Sequence, residues 1–167
     1  MIARSFNQPR PSNHTMKMTR FAKPALSLAL LIGLFTPATW AAPAVPVIDV
    51  YKSPTCGCCV KWIDHLKENG FTVRSHDTQD VAQHKQRLGV PAAYGSCHTA
   101  VIGGYVIEGH VPARDIKRLL KEKPQARGLT VPGMPIGSPG MEQGSHKDAY
   151  EVILLDKNGA PRVYSRY

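Results

Sequence analysis

Hydrophobic and polar positions along the chain change period several times, and each change marks an element. Val45 to Val50 is an apolar, β-branched run with one charge, the pattern of a buried strand. A turn containing Pro54 and Gly57 follows. Beyond it, Cys59, Ile63 and Leu66 recur at helical spacing while Lys61, Asp64 and Lys67 face away, with Trp62 capping the apolar side. Asn69-Gly70 stops this helix. Phe71 to His76 alternates as a second strand, and Asp80 to Leu88 reads as a second helix closed by Gly89-Val90-Pro91. Thr99 to Ile102 and Tyr105 to Glu108 are short strands around Gly103-Gly104, a hairpin signal. Pro112 opens a third helix that buries Ile116, Leu119 and Leu120 and ends before Pro124. From Gly128 to Gly144 periodicity is lost in a Gly-, Pro- and Met-rich stretch, read as a loop of about 17 residues, a length at which loops commonly carry function. Tyr150 to Asp156 and Arg162 to Tyr164 are strands joined through Asn158-Gly159.

The front of the chain follows a different pattern. Residues 1–41 hold five basic residues and no acid, with an apolar run from Ala25 to Phe35 and small residues around Thr39-Trp40-Ala41. A basic front, a short apolar run and a small-x-small site describe a secretory signal peptide, with cleavage expected after Ala41 and no membrane span afterwards. The expected organisation is therefore a leader over residues 1–41 and one domain over 42–167. Charge then reads differently. The whole chain carries a formal +9, but residues 42–167 hold 16 Lys and Arg against 12 Asp and Glu, scattered without a basic face. Nucleic acid is thus excluded as a partner. Export also sends the cysteines to a compartment where thiols are oxidised unless a reductant or soft metal protects them.

All four cysteines lie beyond the leader. Cys56-Gly57-Cys58-Cys59 packs three thiols into four positions where the first strand meets the first helix. Cys56 and Cys59 form a C-x-x-C pair one helical turn apart, and the free amides of a helix start favour thiolate over thiol. C-x-x-C in a βαβ unit is a thioredoxin-like redox arrangement, with Cys56 and Cys59 as candidate catalytic residues. The extra Cys58 argues against a simple couple, because any thiolate attacks a neighbouring disulfide. In such a fold Cys97, entering the third strand, faces the C-x-x-C turn, so four sulfurs can converge.

Four close thiolates repel by several kcal/mol even at an effective dielectric near 20, roughly. One zinc ion leaves net charge −2, and zinc sites usually use two separated C-x-x-C arms. Several Cu(I) ions sharing bridging thiolates neutralise the charge more fully, and the Met134 and Met141 thioethers are soft donors too. Copper, as Cu(I) and polynuclear, suits this set better than zinc or an iron–sulfur cluster. His98, beside Cys97, is a candidate ligand, a second-layer partner of a sulfur, or merely a residue leading into the strand. Other readings stand beside these: disulfide staples for the cysteines, packing for the two methionines, packing or capping for His110, and solvated surface for His65, His76, His84 and His146. Glu108 has no convergent partner in sequence. No phosphate-binding glycine loop, HExxH or GxSxG gives hydrolase chemistry a foothold.

Four segments together carry a resemblance: Pro54 to Cys59, Ser96 to Ala100, Gly104 to Pro112, and Gly133 to Glu142. From about Val47 to Tyr164 the sequence resembles the CopG-like periplasmic copper-resistance proteins, a metal-binding group. The resemblance implies a thioredoxin-like fold and copper handling through the clustered cysteines; it leaves open a copper-holding protein or a copper or thiol-disulfide oxidoreductase. The expected architecture is α+β: a thioredoxin-like βαβαββα core with an added C-terminal β-hairpin. Its expected partners are copper ions and other periplasmic copper-handling proteins.

Overall fold

The computed structural model describes residues 46–158 and 160–167. The signal peptide expected over residues 1–41 lies outside the described residues, as does Gly159 of the Asn158-Gly159 turn. Among the described residues the elements in chain order are β1 (Ile48–Lys52), α1 (Gly57–Glu68), β2 (Val73–Asp77), α2 (Val81–Arg87), β3 (Thr99–Ile102), β4 (Tyr105–Glu108), α3 (Ala113–Glu122), β5 (Ala126–Thr130), β6 (Glu151–Asp156) and β7 (Pro161–Arg166), with a 3-10 turn at Ala92–Tyr94. The strands form one mixed sheet in the order β2-β1-β3-β4-β5-β6-β7. β1 runs parallel to β2 and antiparallel to β3, and β4 runs parallel to β5. Among the described residues no helix is long and apolar enough to cross a membrane.

Side-chain alternation divides the sheet into two faces. Ile48, Val50, Ala100, Ile102, Ile107, Leu129, Val152 and Leu154 point to one face, where they form a common core with Trp62, Ile63 and Leu66 of α1 and Ala113, Ile116 and Leu119 of α3. Burying these side chains is the main stabilising term, about 1.5–3 kcal/mol for each fully buried Val, Leu or Ile and less for the alanines. On the other face α2 packs near one edge: Tyr51 stacks on His84 and Glu108 pairs with Lys85. Asp80 caps α2 by accepting from the Gln83 backbone N–H at 2.8 Å.

The expected loop from Gly128 begins instead at Val131. Residues 126–130 are β5, which stands between β4 and β6 and ties the C-terminal hairpin into the same sheet. The hairpin is a continuation of the sheet, not an appendage to it. Gly128 explains both the strand and its poor visibility. A Cβ there would sit 1.7 Å from the Val106 carbonyl oxygen, so only glycine lets β5 approach β4 this closely. The register against β6 also shifts between Ala126 and Gly128. A five-residue strand with a central glycine and an irregular register carries no clean alternation.

Candidate metal centre

β1 ends at Lys52 and the chain turns through Ser53-Pro54-Thr55 into α1, so the cysteines occupy the cap and first turn of that helix. Cys56 is the N-cap, with no side-chain capping bond, and Cys59 already faces the core and is fully buried. Cys56 and Cys59 are joined as a disulfide, with their Cα atoms 5.3 Å apart; Cys58 and Cys97 are free thiols. Cys97 comes from the segment leading into β3. Its Sγ lies 3.5 Å from Cys59 Sγ and 3.9 Å from Cys58 Sγ, and Cys58 Sγ is 3.5 Å from Cys56 Sγ. All four sulfurs fall within 4.8 Å of one another. The convergence expected from sequence is therefore present.

A second group shares Cys97. The ligand atoms of Cys97, His98 and His110 also lie within 4.8 Å of one another. His98 is fully buried; its ring lies 4.3 Å from that of Trp62, and its Nδ1 is 3.2 Å from Cys97 Sγ while Nε2 has no partner. His110, read from sequence as packing or capping, is equally buried and sets its Nε2 3.1 Å from Cys97 Sγ. Its Nδ1 is 2.8 Å from the Pro139 carbonyl oxygen, which can only accept. Nδ1 therefore carries the proton and Nε2 presents a lone pair toward the sulfur.

The metal-free pocket disfavours charge. Burial holds His98 well below the usual imidazole range, helped by neighbouring His110 and Lys85, and burial also lowers His110. Burial, with the nearby Cys58, pushes the Cys97 thiol up to about 12. Neutral imidazoles facing a protonated thiol make an uncharged donor set, which a soft cation converts to a liganded one by displacing the thiol proton.

Two further devices hold this arrangement. Glu108, almost fully buried beneath the Cys97 segment, accepts the Ser96 backbone N–H at 2.6 Å and pairs with Lys85, which in turn donates to the His98 carbonyl at 3.1 Å. Burial raises the Glu108 pKa, opposed by Lys85. The loop after β5 supplies the second. At Gly140 φ is +86°, and a Cβ would lie 2.7 Å from the Trp62 backbone N and 2.8 Å from the Cys58 carbonyl oxygen. Glycine thus lets the loop press on the first turn of α1 and brings Pro139 to His110.

Met134 and Met141 stand beside the centre. Both line an open cleft of about 340 Å³ that also includes Cys58, Lys61, Gly140 and Glu142. Of the remaining histidines, His65 is half-buried and its Nε2 accepts the Ala113 backbone N–H at 3.1 Å, capping α3, so it is not the solvated surface residue expected. His76 and His84 stack on Tyr51, and His146 is exposed beside Asp148.

Two solved structures of copper resistance protein CopG, forms 2 and 1, superpose at TM-scores of 0.71 and 0.70. Each is 50% identical to this chain, which they cover over 74% of its length and 98% of their own. The chain belongs to the CopG family. Residues 94–141 also match a family described as a protein of unknown function, DUF411, and that stretch contains Cys97, His98, Glu108, His110 and both methionines. No curated protein matches the chain. Sequence reasoning missed His110 and Glu108, although a signal for both was available. In the β3–β4 register Thr99 faces Glu108. Continuing that register outward by two residues sets Cys97 opposite His110, and the Gly109 N–H to His98 carbonyl bond of 3.1 Å lies between them.

Proposed function

We propose that this protein is an exported copper-binding protein that holds Cu(I) through Cys56, Cys58, Cys59 and Cys97 and contributes to copper resistance. One observation carries the reading: four sulfurs, all within 4.8 Å of one another, in a chain half-identical to copper resistance proteins. His110 and His98 extend the donor set through Cys97, whose sulfur belongs to both groups. A thiolate shared between two groups of donors is suited to bridging two Cu(I) ions, which supports a polynuclear centre. Loading requires that a dithiol first reduce the Cys56–Cys59 bond, two electrons and two protons giving two thiols; Cu(I) then displaces thiol protons. The strand order β2-β1-β3-β4, with C-x-x-C at the β1–α1 junction, supports a thioredoxin-like reading of residues 48–122. The basic, apolar and small-residue pattern of residues 1–41 supports export to the periplasm.

A second reading has a specific observation in its favour. Cys97 Sγ lies 3.5 Å from Cys59 Sγ, so a Cys97 thiolate could attack the disulfide at Cys59 and release the Cys56 thiolate, a balanced exchange proper to a thiol-disulfide or copper oxidoreductase. Cys58→Ser separates the two readings. On the copper reading it lowers the Cu(I) bound per chain and leaves the fold unchanged by circular dichroism. Unchanged copper binding, with Cys56 and Cys59 still cycling against a test disulfide, would favour the oxidoreductase.

A further inference from the structure

The chain has five methionines, and three of them, Met1, Met16 and Met18, precede the described residues. The other two, Met134 and Met141, line the same cleft. Methionine normally fills gaps in a core, yet neither belongs to the hydrophobic core, and Met134 is 52% exposed. The cluster cysteine on that cleft is Cys58, the free thiol of the first helical turn, whose Sγ contacts Cys56 and Cys97 but takes no part in the disulfide. The cleft is fixed to the helix: Gly140 abuts the Trp62 and Cys58 backbone, and both Glu142 carboxylate oxygens accept the Gly140 N–H, at 2.9 and 3.0 Å. Two methionines, a free cysteine and a glutamate, with Lys61, thus line one open cleft beside the centre.

Resting on the copper reading, we infer that this cleft is the port through which Cu(I) enters and leaves the centre, with the Met134 and Met141 thioethers as its first ligands and Cys58 as the receiving sulfur. A thioether is soft and neutral, and it needs no deprotonation to bind, so it can take Cu(I) from a donor without waiting for a thiol to lose its proton. It also binds less tightly than a thiolate, so the ion moves inward to sulfurs that gain from charge neutralisation. The cleft carries one acid, Glu142, and one base, Lys61, so soft donors rather than net charge select the ion there. The partner that fits this wall presents Cu(I) on exchangeable soft ligands, with no phosphate or nucleic-acid component.

The test is the rate of copper uptake by the reduced protein from the coloured Cu(I)–bicinchoninate complex, with wild type compared with the M134L/M141L variant, which keeps side-chain volume and removes both sulfurs. The port predicts uptake slower by about tenfold or more, with the final copper per chain and the denaturation midpoint unchanged. Uptake within about twofold of wild type would overturn the port. A lower final copper content would also overturn it, because the methionines would then belong to the resident donor set. Failure of the wild type to take up Cu(I) at all would instead defeat the copper reading on which the port rests.

Discussion

Cys97 sits where the chemistry converges. Its sulfur is within contact of Cys58, Cys59, His98 and His110, and burial with Cys58 keeps it protonated in the metal-free protein. A group so disfavoured as an anion is a poor free nucleophile and a good site for a cation that replaces its proton. His65 makes a separate residue-scale point. Its Nε2 can accept the Ala113 N–H only while unprotonated, and burial lowers its pKa, opposed by the charges of Glu142 and Glu68. Above the ordinary imidazole value His65 is neutral in folded and unfolded chains alike, and its contribution is fully present. As pH falls below that value the unfolded chain takes up a proton the folded chain resists, so stability is lost. Replacing His65 with Gln, whose carbonyl can accept the same bond without titrating, should flatten part of the fall in urea midpoint between about pH 7 and 5. Identical slopes for the two proteins would show that the cap is not a titrating one.

At the scale of elements, the loop after β5 matters as much as the helix that bears the cysteines. Gly140→Ala forces a left-handed backbone on a residue with a Cβ and drives that Cβ into the first turn of α1. We expect a loss on the order of 2 kcal/mol in chemical denaturation, together with weaker Cu(I) binding, as Pro139 withdraws from His110. Wild-type stability and copper affinity in this variant would mean that the loop is not seated as described. Much of this scale was legible from sequence. Apolar spacing in α1 and α3 and the Gly103-Gly104 hairpin follow from pattern, because each rests on period or on local turn chemistry. The approach of Cys97 to Cys58 and Cys59, 39 and 38 residues away, follows only on the expectation of a thioredoxin-like fold. β5 follows from neither, since Gly128 interrupts its alternation for the sake of close approach to Val106. His110 and Glu108 were hidden for another reason: their partners lie across the hairpin, and only its register, carried past the strand ends, brings them to Cys97 and Ser96.

On the scale of the whole molecule, one sheet organises everything. Seven strands share a core with α1 and α3 on one face, and α2 on the other sends Lys85 to the Glu108 carboxylate beneath the Cys97 segment. Rigid elements therefore fix the positions of Cys59, His98 and His110, while the open side of the centre is left to Cys58 and the methionine cleft. That division, a buried donor set with one accessible wall, fits a protein that takes up and holds a soft ion. The most direct test is an anaerobic Cu(I) titration of the fully reduced protein, with bound copper and free thiols counted on the same samples. More than one Cu(I) per chain, with all four thiols protected, is the expected result. No tight Cu(I) binding, with Cys56 and Cys59 readily reoxidising to a disulfide in its presence, would contradict the account.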